Sequence, residues 1–261
     1  MKKKLISVLI TNYNKSKFLT KSLSKISNQN FKDYEIILYD DASTDNSIEI
    51  IKKFKKVKLI KNKKKNQKTA PLNQINGILK SFKKSKGNII CLMDSDDFFK
   101  ISKLKKINYS FNKDKNLNSL FDLPQCEKNQ FIFKNKKESN SIWPTIFPTS
   151  CISIKRNFFN IFIKHLRKDE FKDLEIDARL TIFSKFYFEE YNILKTKLTT
   201  YNFDSTGITS KINIFSKKWW FRRYQAFNYM IYILNKKNKK FEKSLDYYLT
   251  TTIYLFLKFF S

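Results

Sequence analysis

Hydrophobic and polar positions along roughly the first hundred residues follow two alternating periods. Short apolar runs rich in β-branched residues predict strands, and after each of the first three runs apolar residues recur at helical spacing. Strands that alternate with helices indicate a parallel sheet with right-handed crossovers. The sequence therefore predicts an α/β fold with a mostly parallel sheet flanked by helices. The predicted strands cover Leu5 to Ile10, Tyr34 to Tyr39, Val57 to Ile60 and Asn88 to Met93.

The fourth predicted strand ends in three carboxylates within four positions, Asp94, Asp96 and Asp97. Asp94 and Asp96 project the same way if the strand geometry continues, and like charges held so close require a cation between them. Ligands that are all oxygen atoms favour Mg²⁺ or Mn²⁺. The alternative is an acidic loop that caps the helix that follows.

Polar residues also follow the first and second predicted strands, at residues 11–14 and 40–45. The carboxyl ends of parallel strands meet at one edge of a sheet, which is where α/β proteins bind ligands. We therefore expect the endings of strands one, two and four to lie together.

The regular alternation stops near Lys113, and short predicted strands follow among polar loops: Leu117 to Leu123, Gln130 to Phe133 and Ile152 to Ile154. Trp143 in this region either stacks on a sugar or fills the core. Residues 216–261 are predicted to be helical. Their last part, Tyr247 to Phe260, is apolar on most sides, which fits packing against the rest of the protein or an interfacial helix on an anionic membrane.

Composition narrows the class of protein. A formal net charge of +30 suggests a polyanionic partner, but the lysines are spread along the chain, as expected from A/T-rich codon usage. Three widely spaced cysteines and one histidine argue against a disulfide framework and a multi-histidine metal site. No apolar run approaches a signal peptide or the roughly 20 residues of a spanning helix. We expect a cytoplasmic protein whose membrane contact, if any, is peripheral.

Three segments together resemble family 2 glycosyltransferases of the GT-A fold. They are Ser7 to Lys15, Asp40 to Asp45, and Gly87 to Asp97 with its DxD pattern. The resemblance covers about the first 110 residues closely. It implies a Rossmann-like donor half at 1–112 and an acceptor half at 113–215, which together form the catalytic domain 1–215. Residues 216–261 would be a C-terminal helical extension.

The resemblance also implies roles for individual residues. Thr11 and Tyr13 would flank the nucleotide base, and Asp41 would accept a hydrogen bond from it. Asp94 would approach the ribose, and Asp96 would be the principal ligand of a divalent metal, Mn²⁺ or Mg²⁺, on the diphosphate. Capping of the helix after the second strand is assigned to Asp45 instead.

One segment departs from the family pattern. Thr69 to Gly77, before the fourth strand, lacks the arginine that this family usually has there. We expect Lys68 to replace this arginine in the contact with the diphosphate.

A second acidic site lies at the start of a predicted helix, around Asp177. Acidic side chains are favoured at helix N-termini, so a purely structural role is one interpretation. The resemblance implies the other: Asp177 is the general base that takes the proton of the acceptor hydroxyl. Glu175 is the rival base, and Arg179 is expected to orient the carboxylate or a phosphate.

These features lead us to expect a metal-dependent, inverting glycosyltransferase. It would move a sugar from a nucleotide-diphosphate donor, expected to be UDP-linked, to a saccharide or lipid-linked acceptor in surface glycan synthesis, without a nucleic-acid partner. One alternative is a nucleotidyltransferase, although no early Gly-rich phosphate loop is visible. The other is a basic nucleic-acid-binding protein, which would concentrate its basic residues on one face.

Overall fold

A computed structural model describes residues 5–64, 69–126, 142–202 and 212–260. The predicted strand from Gln130 to Phe133 and the predicted site residue Lys68 lie outside these ranges. The strands in chain order are β1 (Ile6–Asn12), β2 (Tyr34–Asp40), β3 (Val57–Lys61), β4 (Ile89–Asp94), β5 (Phe98–Phe99), β6 (Ser119–Cys126), β7 (Ile152–Lys155) and β8 (Ile193–Tyr201). The helices are α1 (Ser16–Ser27), α2 (Ser47–Lys52), α3 (Ala70–Lys84), α4 (Lys103–Lys113), α5 (Arg156–Lys164), α6 (Ile176–Tyr187), α7 (Lys217–Asn235) and α8 (Leu245–Phe259), with a 3₁₀ turn at Thr149–Cys151.

The strands form one sheet in the order β3-β2-β1-β4-β7-β6-β8-β5. The first four are mutually parallel, as predicted for the donor half, whereas β7 runs antiparallel to both β4 and β6. In the register, Asn12 is opposite Asp40, and Thr11 is opposite Asp94. The carboxyl ends of β1, β2 and β4 therefore lie side by side, which confirms the prediction.

Alternation along β1 explains why helices cover both faces of this part of the sheet. Leu9 belongs to one hydrophobic core, whereas Val8 and Ile10 belong to a second core on the opposite face. All three side chains are fully buried. Successive strand residues point to opposite faces, so an uninterrupted apolar run requires a packed layer on each side.

The segments β5 and β8, which pair with each other at the edge of the sheet, were not predicted. β5 has only two residues, too few for a periodic signal. In β8, Lys195 and Lys197 are exposed and interrupt the apolar pattern.

The C-terminal region consists of α7 and α8, which pack together as helices as predicted. Trp143 packs against this pair, with its ring centroid 4.4 Å from that of Phe227, and its indole nitrogen donates to Asp246 Oδ2 at 2.7 Å. Trp143 therefore fills the core rather than facing a sugar. Within the described ranges, none of the helices combines the length and apolar character that crossing a membrane would need.

Candidate active site

Two neighbouring aspartates, Asp40 and Asp41, lie at the end of the second strand and have different hydrogen-bond partners. Asp40 is fully buried and accepts hydrogen bonds from Asn12 Nδ2 at 2.8 Å and from the Ser43 backbone N at 2.9 Å and Oγ at 2.6 Å. It therefore shapes the loop. The next residue, Asp41, is also buried and accepts a hydrogen bond from Asn62 Nδ2 at 3.0 Å.

Asp45 holds two helix starts together. Its Oδ2 accepts from the backbone N of Ser16 at 2.9 Å, and its Oδ1 accepts from the backbone N of Ser47 at 3.0 Å. These are the first residues of α1 and α2, whose backbone N–H groups have no partner within their own helix. The predicted capping role of Asp45 is confirmed and extends to a second helix.

Asp94 ends β4 and is held by three neighbouring elements. Its Oδ1 accepts from Thr11 Oγ1 at 3.1 Å and from Gln74 Nε2 at 2.8 Å, and its backbone N donates to Ser150 Oγ at 2.9 Å. Burial, and then the nearby charge of Asp96, raise the pKa of Asp94 to about 6. This carboxylate is fixed in position and favours a neighbouring positive charge.

The next two acidic side chains differ in how they are paired. Asp96 Oδ2 lies 2.8 Å from the ammonium group of Lys15. Asp97 is buried, and its Oδ1 accepts from the backbone N of Asn202 at 2.9 Å, but its Oδ2 has no partner among the described residues. Burial, and then the charges of Asp96 and Asp94, hold the pKa of Asp97 well above its usual range.

These carboxylates suit a metal ion that is shared with a ligand. No cluster of three His, Cys, Asp or Glu side chains able to hold a metal by themselves occurs in the part of the chain that the structure describes. Mg²⁺ is usually bound through one or two carboxylates together with substrate phosphates, so Asp94 and Asp96 would suffice. The Lys15 ammonium beside Asp96 indicates that this position accepts a cation.

The start of α6 carries two acidic side chains, Glu175 and Asp177. Glu175 is buried, and its Oε2 forms an ion pair with Arg222 of α7 at 2.5 Å, whereas Oε1 has no partner in the described structure. Burial, and then the charge of Glu175, raise the pKa of Asp177 to about 7. The charge of Asp94 contributes to this rise, which indicates that the α6 start and the β4 end lie close to each other.

Tyr201, at the end of β8, is a site residue that the sequence did not reveal. Burial, and then the charges of Asp97, Asp94, Asp96 and Asp177, raise the pKa of its phenol. The side chain is therefore within electrostatic reach of both acidic sites. No local pattern marks it, because its position depends on the pairing of β8 with β6.

Arg179 has a structural role and not the predicted one. Its fully buried guanidinium donates to the backbone carbonyls of Leu174, at 2.9 Å, and of Leu166 and Phe171. Three carbonyl acceptors leave it no free face for Asp177 or a phosphate, so it secures the loop that leads into α6.

Thr69 caps α3 and links it to the acidic helix region. Its hydroxyl accepts from the Leu72 backbone N at 3.4 Å and donates to the Lys172 carbonyl at 2.7 Å.

Tyr13, on the β1 loop, is 41% exposed and so is accessible to a ligand.

A mixed α/β sheet with carboxylates at its parallel strand ends, close to an acidic helix start, fits the GT-A glycosyltransferase fold that the sequence resembles. The chain belongs to glycosyl transferase family 2, whose sequence profile matches residues 7–192. This match confirms the family and the class of enzyme predicted from the sequence.

Individual proteins agree with this assignment. The poly(ribitol-phosphate) β-N-acetylglucosaminyltransferase TarP of Staphylococcus aureus is 33% identical over 117 residues, 43% of this chain and 34% of the relative. The first curated relatives are matched over only 31% to 40% of their own length.

Two solved structures have the same GT-A fold. S. aureus TarS 1-349 in complex with UDP-GlcNAc aligns with a TM-score of 0.65 and 13% identity, covering 96% of this chain and 70% of that one. The mannosyltransferase PcManGT of Pyrobaculum calidifontis, in complex with GDP-Man and Mn²⁺, aligns with a TM-score of 0.53 and 11% identity, covering 97% and 69%.

Proposed function

We propose that this protein is a metal-dependent, inverting glycosyltransferase that transfers a sugar from a UDP-linked donor to a saccharide or lipid-linked acceptor in surface glycan synthesis. The observation that carries the proposal is the pairing of two acidic sites in one cleft. One comprises Asp94 and Asp96, and the other is Asp177, whose pKa is raised to about 7. The leaving phosphate needs stabilisation of its negative charge, and the incoming hydroxyl needs a base that accepts its proton.

The donor is assigned to the β1–β4 side of the cleft, residues 1–112, and the acceptor to residues 113–215. Thr11 and Tyr13 flank the base, Asp41 accepts a hydrogen bond from it, and Asp94 approaches the ribose. The UDP-GlcNAc bound by the TarS structure supports a UDP-sugar donor.

The metal, Mn²⁺ or Mg²⁺, is assigned to Asp96 and Asp94, and Lys68 would contact the diphosphate. When bound, the metal stabilises the negative charge that develops on the leaving diphosphate. The Mn²⁺ in the PcManGT complex supports the use of a divalent ion in this fold. The hydrogen bonds from Thr11 and Gln74 hold Asp94 in place for that role.

Asp177 is the general base. It accepts the proton of the acceptor hydroxyl as that oxygen bonds to the anomeric carbon and the bond to the diphosphate breaks. A pKa near 7 suits proton transfer at neutral pH. Glu175 is the weaker choice, because the ion pair of its Oε2 with Arg222 stabilises the carboxylate and weakens it as a base.

The place of action is the cytoplasm, with peripheral contact at the inner face of the cell membrane, where lipid-linked acceptors are available. Cys91, Cys126 and Cys151 are free thiols, which supports a reducing compartment.

The test compares Asp177→Asn with Glu175→Gln in a transfer assay. A positioned general base contributes ~10²- to 10⁴-fold, or roughly 3 to 5 kcal/mol of barrier, so Asp177→Asn should lose that factor. Nucleotide binding should stay nearly intact, because Asp177 acts on the acceptor side.

Circular dichroism checks that both variants are folded. If Glu175→Gln loses transfer while Asp177→Asn keeps it, the base is Glu175. If neither variant loses transfer, the start of α6 is structural and the assignment of the base is wrong.

A further inference from the structure

Helix α8 packs against α7 through one face only. On that inner face Thr250 is fully buried, Asp246 forms an ion pair with Arg223, and the Tyr254 ring stacks on Tyr224 with centroids 3.7 Å apart. These contacts recur every four residues along α8, as expected for one side of a helix. They fix which side of α8 faces outward.

The outward side of α8 is apolar and exposed. Seven of the thirteen exposed large hydrophobic side chains in the described residues belong to this short segment, and each is at least 54% exposed. Apart from Phe260, just past its end, they recur at spacings of three, four and seven residues, with Thr252 between them, so they form one continuous stripe. We call this set the outer stripe: Leu245, Tyr248, Leu249, Leu255, Phe256, Phe259 and Phe260.

A basic segment leads directly into the outer stripe. The connection between α7 and α8 contains five exposed lysines within eight residues, which we call the lysine loop: Lys236, Lys237, Lys239, Lys240 and Lys243. Lys258, near the other end of α8, is also exposed. The stripe itself carries no charged side chain. An apolar face bordered by lysines is typical of a helix that lies in the interface of an anionic bilayer.

We propose that the outer stripe and the lysine loop dock this protein on the surface of an anionic lipid bilayer. This inference rests on the proposed function, since a lipid-linked acceptor requires access to the membrane. The positive charge of the protein favours a bilayer, and not a second copy of the chain, as the partner of this surface. Two copies joined through α8 would each carry a formal charge of +30 and would bring two lysine loops to one interface, whereas anionic headgroups neutralise them.

The test is co-sedimentation with vesicles of phosphatidylcholine containing one third phosphatidylglycerol, compared with pure phosphatidylcholine. The full chain should bind the anionic vesicles and bind the neutral ones weakly. Lys236→Gln/Lys240→Gln/Lys243→Gln should lower the partition coefficient by on the order of fivefold per lysine, or about a hundredfold in total. Leu249→Gln/Phe256→Gln should also release the protein, and because both side chains are exposed it should remain folded.

Matched controls change the same chemistry on α4 and the turn before it. Lys105→Gln/Lys106→Gln/Lys113→Gln removes three exposed lysines, and Ile101→Gln/Tyr109→Gln removes two exposed apolar side chains. Both controls should bind vesicles like the unmodified chain. If the α4 lysine control weakens binding as much as the lysine-loop variant, the attraction comes from net charge alone and the docking surface is wrong.

Size-exclusion chromatography with light scattering tests the alternative, that α8 binds a second copy of the chain. A dimer that Leu249→Gln/Phe256→Gln converts to a monomer, together with no vesicle binding, would show that α8 covers a second copy and would overturn the proposal.

Hydrolysis of UDP-GlcNAc without vesicles separates this result from the proposed function. The stripe and loop variants should hydrolyse the donor as the unmodified chain does. Vesicle binding without any turnover of UDP-GlcNAc would leave the docking surface standing and count against the proposed UDP-sugar donor.

Discussion

Asp122 and Asp177 both belong to the predicted acceptor half, residues 113–215, yet the surroundings of their carboxylates differ. Asp122 is fully buried; its Oδ1 lies 2.6 Å from Lys103 Nζ, and its Oδ2 accepts from Thr199 Oγ1 at 2.7 Å. Among the residues that the structure describes, Asp177 has no such ion-pair partner. It accepts from the Ala178 backbone N at 2.7 Å and lies near the like charge of Glu175.

Asp122 stabilises the fold, whereas Asp177 is free of an ion pair in the described structure and could accept a proton. The Lys103 ammonium also donates to Ser150 O at 2.6 Å and to Thr199 Oγ1 at 2.6 Å, so all its protons are used. Ser150 in turn accepts from the Asp94 backbone at the cleft. The Lys103–Asp122 pair is thus a fully hydrogen-bonded network, whereas Asp97 Oδ2 and Glu175 Oε1 have no partner among the described residues.

The largest effect is expected from breaking the complete network. Lys103→Met leaves Asp122 buried without its cation and should lower the free energy of unfolding by roughly 3 to 5 kcal/mol, measured by urea denaturation. Lys103→Met/Asp122→Leu removes both charges and should recover much of that loss. An unchanged stability in the single variant would show that the pair does not hold the fold.

The cleft carboxylates should respond to a cation instead. UDP at about a hundred times its Kd should stabilise the protein by ~2.7 kcal/mol, so the melting temperature should rise by several degrees when Mn²⁺ or Mg²⁺ is present. The rise should be much smaller with chelator.

Asp96→Asn should remove the metal-dependent part of that rise and leave the apo protein folded. Asp45→Asn, which changes a capping aspartate outside the cleft, is the matched control and should keep the metal-dependent rise. Equal stabilisation by UDP with metal and with chelator would refute the metal role of Asp94 and Asp96.

The comparison also shows what local sequence could and could not predict. Apolar periodicity located β1 to β4 and the helices between them, and strand endings located Asp41, Asp94 and Asp96. Local patterns do not predict contacts between residues that are far apart in the sequence. Glu175 pairs with Arg222 at a separation of 47 residues, and Lys103 looks like any surface lysine until Asp122 is placed beside it.

Removal of the Asp177 charge should stabilise the protein, unlike removal of the Lys103 charge. The folded pKa of Asp177 is about 7, against about 3.9 for an unfolded aspartate, so the unfolded chain binds fewer protons between these values. This carboxyl therefore lowers stability progressively as pH rises from about 4 to about 7.

Asp177→Asn should accordingly gain roughly 1 to 2 kcal/mol at pH 8, after allowance for partial solvent screening, and little at pH 4. Urea denaturation at the two pH values measures the difference. Asp122→Asn provides the contrast: burial raises the pKa of Asp122 as well, but this change leaves the buried Lys103 ammonium without its counter-ion and should destabilise at pH 8. A variant of Asp177 that is less stable than wild type at pH 8 would mean that its carboxylate is a satisfied structural group.

The smallest effect is a displacement of the pH profile, and it identifies which carboxyl titrates. A general base acts deprotonated, so kcat/KM should fall as pH drops through about 7, the pKa of Asp177. Glu175→Gln removes the negative charge that raises this pKa, and the acid limb should therefore move to lower pH. Arg222→Gln removes the positive charge that opposes it, and the limb should move to higher pH.

Each shift should be under about one pH unit, equivalent to at most ~1.4 kcal/mol. Arg222→Lys keeps a cation at the end of α7 and should restore most of the wild-type profile. Opposite displacements in the two variants would show that the titrating group senses both the negative charge of Glu175 and the positive charge of Arg222. Asp177 does so. If neither variant moves the acid limb, the group that controls transfer is not Asp177, and the raised pKa at this helix start serves no catalytic step.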